Sequence, residues 1–224
     1  MPTFKPRPGQ DQVVDYAGGR MGVSAVPGSG KTTTLSYLAS QIVARGDLRD
    51  DQEVLVVTLV RSAVGNFSTQ VASYIQGQGL LANFGYRVRT LHGLSNDIVR
   101  ERPALVGLNE DFGIVDERES GAILSDAVSR WVARNPDFAY DYVDPAQYER
   151  NSVLSVRWPG LVNDIASAFI KKAKDVRQTP VTLRQQMADH DLPLAQMCID
   201  IFDAYQRGLA YRGAVDFQDL IRLA

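Results

Sequence analysis

Apolar and polar positions along the chain alternate between two periods, and each period predicts a different element. Met21–Val26 reads as a short buried strand that Gly28–Gly30 interrupt. Beyond the glycines, Leu35, Leu38, Ala39, Ile42 and Val43 fall on one face of a helix, at i, i+3, i+4, i+7 and i+8. A polar turn, Arg45–Gln52, follows. Val54–Val60 is then an almost unbroken apolar run rich in β-branched residues, the pattern of a central parallel strand with helices over both faces. Strand, loop, helix and strand together predict one right-handed βαβ unit. Ser62–Tyr74 is predicted as a second helix, Tyr86–Arg89 as a third short strand and His92–Arg100 as a helix.

The pattern changes near Arg100. From there to about Gly213 helical periods dominate and strand signals are few. Ile123, Leu124, Ala127, Val128, Trp131 and Val132 form one apolar stripe. Leu161, Ile165, Ala168 and Phe169 form a second, and Leu194, Cys198, Ile201 and Tyr205 a third. Pro136, Pro145, Pro159, Pro180 and Pro193 punctuate the helix ends between them. The expected fold class is therefore α/β: a partial parallel sheet over residues 1–100, an all-α insertion over 101–212, and a return to the first domain at 213–224.

Composition narrows this picture only slightly. The 224 residues are 45 % hydrophobic and 22 % charged, ordinary values for a chain that buries a core. A net charge of −2 carries no global basic signature of nucleic-acid binding, although a local basic surface remains compatible with it. Cys198 is the only cysteine, so no disulfide closes within the chain, which fits a reducing compartment such as the cytoplasm. The N-terminal dodecapeptide MPTFKPRPGQDQ lacks the apolar core of a signal peptide. No run approaches the roughly 18 apolar residues of a membrane span.

The chemistry concentrates at Ala25-Val26-Pro27-Gly28-Ser29-Gly30-Lys31-Thr32, set between the first strand and the first amphipathic helix. Glycines let several backbone N–H groups converge on an anion, and a helix N-terminus adds its positive dipole end. Such a phosphate loop binds ATP with Mg²⁺: Val26, Pro27, Gly28, Ser29 and Gly30 wrap the phosphates, Lys31 reaches the β- and γ-phosphates, and the Thr32 hydroxyl ligates the metal. Ala25 stands at the first position, where glycine is usual. The loop alone does not distinguish kinases, GTPases, motors and helicases.

Four further stretches, in order, resemble superfamily 1A DNA helicases of the UvrD/Rep type. Pro8-Gly9-Gln10-Asp11-Gln12-Val13-Val14 is similar to the Q motif, which implies that Gln10 reads the adenine edge, with Gln12 as the competing candidate. A side-chain amide suits that role because it donates and accepts at once. Val57-Thr58-Leu59-Val60-Arg61-Ser62-Ala63 stands where motif Ia contacts single-stranded DNA. Only Thr58 and Ala63 match well there, and Leu59 and Val60 replace a more polar run. Val88-Arg89-Thr90-Leu91-His92-Gly93-Leu94 resembles the T-F-H-G element with Leu91 for phenylalanine. Val215-Asp216-Phe217-Gln218-Asp219-Leu220 resembles the segment that returns from the helical insertion. The resemblance thus spans from about Gln10 to Leu223. It implies that Thr58, Arg61, Thr90 and His92 line a DNA path, to which Lys171, Lys172 and Lys174 would add a phosphate-contacting patch unless they form a solvated helix face. Thr33 counts among the nucleotide-binding positions and stands where the family often carries an arginine.

Ile114-Val115-Asp116-Glu117 mimics the acidic strand end that holds Mg²⁺, but Asp116 reads as an N-cap with Glu119 as its capping-box partner. In the family, the acidic pair follows the segment resembling Val215–Leu223. The chain stops at Ala224 inside an apparent helix, so it is expected to be the N-terminal part of a longer ATP-dependent 3′-to-5′ DNA helicase or translocase. The isolated 224 residues are then expected to be inactive. Two other readings stay open: a non-motor helicase-like ATP-binding module, and another P-loop enzyme such as a small-molecule kinase.

Overall fold

The computed structural model describes residues 4–144 and 156–224. The chain divides into two compact units, Met1–Leu94 and Ser95–Ala224, and the division falls within one helix.

In the first unit, α1 (Asp11–Val14) and α2 (Lys31–Ala44) precede β1 (Val54–Thr58), α3 (Arg61–Gly77) and β2 (Tyr86–Thr90); α4 (Leu91–Glu101) then begins directly. β1 and β2 are parallel, and α3 is the crossover between them. Their register pairs Val54 with Tyr86 at one end and Thr58 with Thr90 at the other. Phe67, Val71 and Ile75 of α3 pack with Ala39, Tyr86 and Val88 in the core of this unit.

Three expectations need correction here. Met21–Val26 is not a strand: its residues join no ladder, and Met21, Val23 and Val26 are exposed. Its composition is that of a buried strand, but β1 bonds β2 and no described strand bonds this segment. β1 is covered on one face only, with Leu55 44 % and Val57 46 % exposed on the other. Finally, α2 buries Thr34, Ser36, Ala39 and Ser40, while Leu35 is exposed. α2 packs chiefly against α3, and small side chains permit that approach. The Thr34 hydroxyl donates to the Gly30 carbonyl (3.0 Å) and the Ser40 hydroxyl to the Tyr37 carbonyl (2.7 Å), so two buried polar groups are satisfied within the helix.

The second unit holds the rest of α4, β3 (Gly113–Val115), α5 (Glu117–Arg134), α6 (Trp158–Asp175), α7 (Pro180–Gln186), α8 (Pro193–Tyr211), β4 (Ala214–Asp216) and α9 (Phe217–Leu223). Its core is dense: Val162, Ala166, Met197, Ile199, Ile201 and Phe202 are all at most 1 % exposed. The unit is not all-α, because β3 and β4 form a parallel pair from Gly113↔Ala214 to Val115↔Asp216. Three-residue strands this far apart in sequence leave no periodic signal.

The stripe expected on α6 holds in part: Ile165 and Phe169 pack half-buried against the core, but Leu161 and Ala168 are exposed. Val162, Ala166, Ile170 and Ala173 are buried and Leu161 is 51 % exposed, because two adjacent apolar rows share the helix and the one with small residues faces the core. Pro159, Pro180 and Pro193 open α6, α7 and α8 in their first turns, where a missing N–H costs nothing. Pro145 lies outside the described residues. The Asp116 carboxylate caps α5 by accepting from the Glu119 N–H at 2.8 Å, so its role as an N-cap holds.

Lys174 is no part of a surface patch. It is 4 % exposed, and its ammonium bridges the Asp216 and Asp219 carboxylates. Asp216 also accepts from the Tyr205 hydroxyl (2.7 Å) and the Asp219 N–H (2.8 Å), and so caps α9. Burial pushes the Asp216 carboxyl up, but the Lys174 charge and these hydrogen bonds outweigh it and hold the group below its ordinary value. The same surroundings, burial foremost, push the Tyr205 hydroxyl well up.

Candidate functional site

The glycine-rich loop reaches α2 through two left-handed residues, Gly28 (φ 79°) and Gly30 (φ 87°). A side chain would strain either position, so the glycines are what the turn demands. Gly30 is the N-cap of α2; no side chain caps this terminus and no acidic residue stands in its first turn. Lys31 closes the loop upon itself, its Nζ donating to the Ala25 carbonyl at 2.8 Å. The ends of the loop are therefore tied by one exposed ammonium that an anion can draw away. Ser29 Oγ is enclosed without a hydrogen-bond partner, an unmet polar group in the middle of the loop. Val26, Pro27, Gly28, Lys31 and Thr32 are exposed, and Thr33 is half-buried. Two left-handed glycines, one exposed cation, an orphan hydroxyl and an uncapped helix start fit a phosphate group. Thr32, exposed beside Lys31, fits a hydroxyl ligand for a divalent cation.

Gln10 lies against this loop. Its Nε2 donates to the Ser29 carbonyl (3.0 Å) and its Oε1 accepts from the Arg7 N–H (2.9 Å). Both amide atoms that would read a base are thus engaged with backbone. Gln12 is exposed. Phe4 packs on Tyr37 of α2 (4.7 Å between centroids) and Tyr37 on Tyr74 of α3 (5.3 Å), and so pins the segment that carries Gln10. That aromatic anchor escaped the sequence reading; its only trace is a phenylalanine six residues ahead of the glutamine.

The second cluster sits where β1 and β2 end. The parallel register sets Thr58 beside Thr90, and each strand runs directly into a helix, α3 at Arg61 and α4 at Leu91. Arg61 and His92 are exposed, while Thr58 and Thr90 are half-buried. In open α/β sheets, ligands gather outside the carboxyl ends of strands, and these residues occupy such a rim. Thr90 has a structural duty as well. Its Oγ1 accepts from the Gly93 N–H at 3.0 Å, and a Cβ on Gly93 would fall 3.1 Å from that oxygen. Threonine and glycine three apart therefore close the start of α4, and the hydroxyl proton remains able to donate. Leu59 and Val60, 82 % and 55 % exposed, lie apolar beside this rim.

A glycine-rich loop opening onto a helix, next to a parallel βαβ unit, defines the P-loop nucleotide-binding class of α/β protein. The particular family follows from comparison: the family model described as UvrD/REP helicase N-terminal domain matches residues 7–224, and the chain belongs to that family. It is similar to the ATP-dependent DNA helicase PcrA of Staphylococcus aureus, 21 % identical over 95 % of this chain and 25 % of the relative. It is similar also to the ATP-dependent DNA helicase SRS2 of Saccharomyces cerevisiae, 24 % identical over 92 % of this chain and 17 % of the relative. A probable DNA helicase II homolog of Rickettsia conorii is 26 % identical over 96 % of this chain and 28 % of the relative. The chain thus spans about a quarter of the length of these curated relatives. Among the described residues, no helix is long and apolar enough to cross a membrane.

Proposed function

We propose that this chain is the ATP- and DNA-binding N-terminal part of an ATP-dependent DNA helicase or translocase that moves 3′-to-5′. The observation that carries it is the left-handed Gly28–Gly30 loop, with Lys31 tethered across its mouth to the Ala25 carbonyl. That similar proteins are ATP-dependent DNA helicases supports the same reading.

In this mechanism the Lys31 ammonium exchanges the Ala25 carbonyl for β- and γ-phosphate oxygens, and the backbone N–H groups from Gly28 to Thr33 hold the remaining charge. Ser29 gains the hydrogen bond it lacks. Thr32 would hold a divalent cation such as Mg²⁺ with the nucleotide, and that cation would supply charge neutralisation at the phosphates. Gln10 turns from the Ser29 carbonyl to the adenine edge, so base recognition and loop shape are coupled through one side chain. Thr58, Arg61, Thr90 and His92 hold single-stranded DNA at the strand ends, by hydroxyl and guanidinium contact to phosphate and imidazole contact to phosphate or base.

Hydrolysis also needs carboxylates at the metal and at the attacking water. The acidic residues at the short strand ends of the second unit have other duties: Asp116 caps α5, while Asp216 and Asp219 hold Lys174. These 224 residues are accordingly expected to bind ATP weakly and to turn it over negligibly. The second reading, a non-motor ATP-binding module, draws on the apolar Leu59 and Val60 beside the track. DNA-stimulated ATPase activity of the longer protein would exclude it.

The test is titration of the chain with a fluorescent ATP analogue, with and without Mg²⁺. Lys31→Ala should lower affinity at least about tenfold, roughly 1.4 kcal/mol. Equal binding by wild type and variant would end the assignment.

A further inference from the structure

A groove of about 1040 Å³ runs between α5 and α8 in the second unit, outside the nucleotide and strand-end residues. Its floor is made by Ile123, Ala127, Ala204 and Gly208. Gly208 packs directly against α5, where a Cβ would fall 2.7 Å from Ile123 Cγ2. Small residues thus create the depression, and long side chains stand on its rim.

Those rim residues are of a particular kind. Arg130 and Arg134 stand one turn apart on α5, and Arg212 follows the end of α8. None of their guanidinium groups makes an ion pair or hydrogen bond among the described residues, whereas that of Arg207 is held by Asp203 (2.6 Å) and that of Arg184 by Asp200 (3.0 Å). Tyr211 is 93 % exposed at the same rim. Trp131 is held edge-on against Phe138 with centroids 4.9 Å apart, a rigid aromatic wall. Arginine, tyrosine and tryptophan around a desolvated centre are the residues that carry most binding energy at protein interfaces.

We propose that this groove docks an amphipathic helix of a protein partner, with apolar side chains on the floor and carboxylates toward Arg130, Arg134 and Arg212. The volume matches about two turns of a helix roughly 10 Å across. Three unpaired guanidiniums select acidic residues, which they bind in bidentate fashion. A nucleic-acid strand is the poorer occupant. Asp200 and Asp203 are held by Arg184 and Arg207, but Asp126 also lines the groove; a helix can keep its carboxylates off Asp126 and lay apolar side chains on the floor, whereas a strand carries a phosphate at every nucleotide.

The test uses fluorescence anisotropy of the 224-residue chain with labelled peptides of about 16 residues, each carrying leucine at i, i+3, i+4 and i+7. One bears glutamate on both flanks and the other lysine at the same positions; labelled oligo(dT) is the third probe. The glutamate peptide is expected to bind at least about tenfold more tightly than the lysine peptide. Arg130→Glu with Arg134→Glu should erase that preference, and Tyr211→Ala should weaken the glutamate peptide about threefold or more. All these side chains are exposed, and circular-dichroism melts matching wild type would show that the core is intact. Equal binding of the two peptides would overturn the proposal. So would indifference to the arginine reversals, or a reversal that weakens oligo(dT) and leaves the glutamate peptide unaffected.

Discussion

The two units bury different kinds of polar group. α2 of the first unit buries hydroxyls, Thr34 and Ser40 bonded locally and Ser36 Oγ bonded to nothing, while apolar Leu55, Val57, Leu59 and Val60 stand exposed. The second unit packs a dense aliphatic core and buries a charge cluster in which Lys174, Asp216 and Asp219 all have partners. Satisfied buried charge fixes one arrangement, whereas an orphan hydroxyl and an open loop leave an arrangement to be completed by a ligand. Order in this chain thus resides in one unit and capacity for chemistry in the other.

The sharpest way to break that comparison is to remove the buried cation. Lys174→Ala leaves Asp216 and Asp219 with the neutral donors Tyr205 and Gln206 and, as the remaining cation among the described residues, Arg222 at 3.3 Å from Asp219. Loss of one partner of a buried pair costs about 3–5 kcal/mol. The melt of the second unit should fall accordingly, while ATP-analogue affinity, a property of the first unit, should stay. Equal loss of both would show that the two units do not differ as described.

A smaller effect tests the same cluster by pH. The Asp216 carboxyl titrates below its ordinary value in the folded chain, because Lys174 and its hydrogen bonds outweigh burial. The unfolded chain therefore binds this proton first as pH falls. The stability contributed by Asp216 is complete above a pH of about 4 and is lost as pH drops through the lower folded value. Asp216→Asn should melt below wild type at neutral pH, and the gap should narrow below a pH of about 4. A constant gap down to acid pH would show that the carboxylate charge is not what Lys174 holds.

Lys174 also shows where sequence reading stops. The loop from Ala25 to Thr32 was legible because its chemistry is local: glycines for the turn, a lysine, a hydroxyl and a helix start. β2 and α4 were legible by period, and the Asp116 cap by spacing. Met21–Val26 was misread because hydrophobicity reports a preference for burial, whereas a strand needs a partner, which is a tertiary fact. The α6 stripe was partly misread because Leu161 and Val162 head two equally regular rows. Lys174 looked like a member of a basic patch because its two carboxylates lie 42 and 45 residues away. The arginines of the α5–α8 groove were passed over for the same reason: Arg130 and Arg134 share a helix face, but the depression beside them is made by Ala204 and Gly208 of another helix.

The smallest effect falls at Thr90 of the first unit, where a structural duty and a proposed DNA contact meet in a single hydroxyl. As a cap it accepts from the Gly93 N–H; as a proposed DNA contact it donates to phosphate. Thr90→Ala removes both, and should cost about 1 kcal/mol of stability and weaken oligo(dT) binding. Thr90→Asp separates them. A carboxylate is as good a cap as a hydroxyl and favours the helix N-terminus, so the melt should stay within a few tenths of a kcal/mol of wild type. It cannot donate to phosphate, and its charge repels one, so oligo(dT) affinity should fall at least as far as in Thr90→Ala, more steeply at low salt. Wild-type affinity in Thr90→Asp would confine the hydroxyl to capping, and the strand-end track would then rest on Thr58, Arg61 and His92 alone.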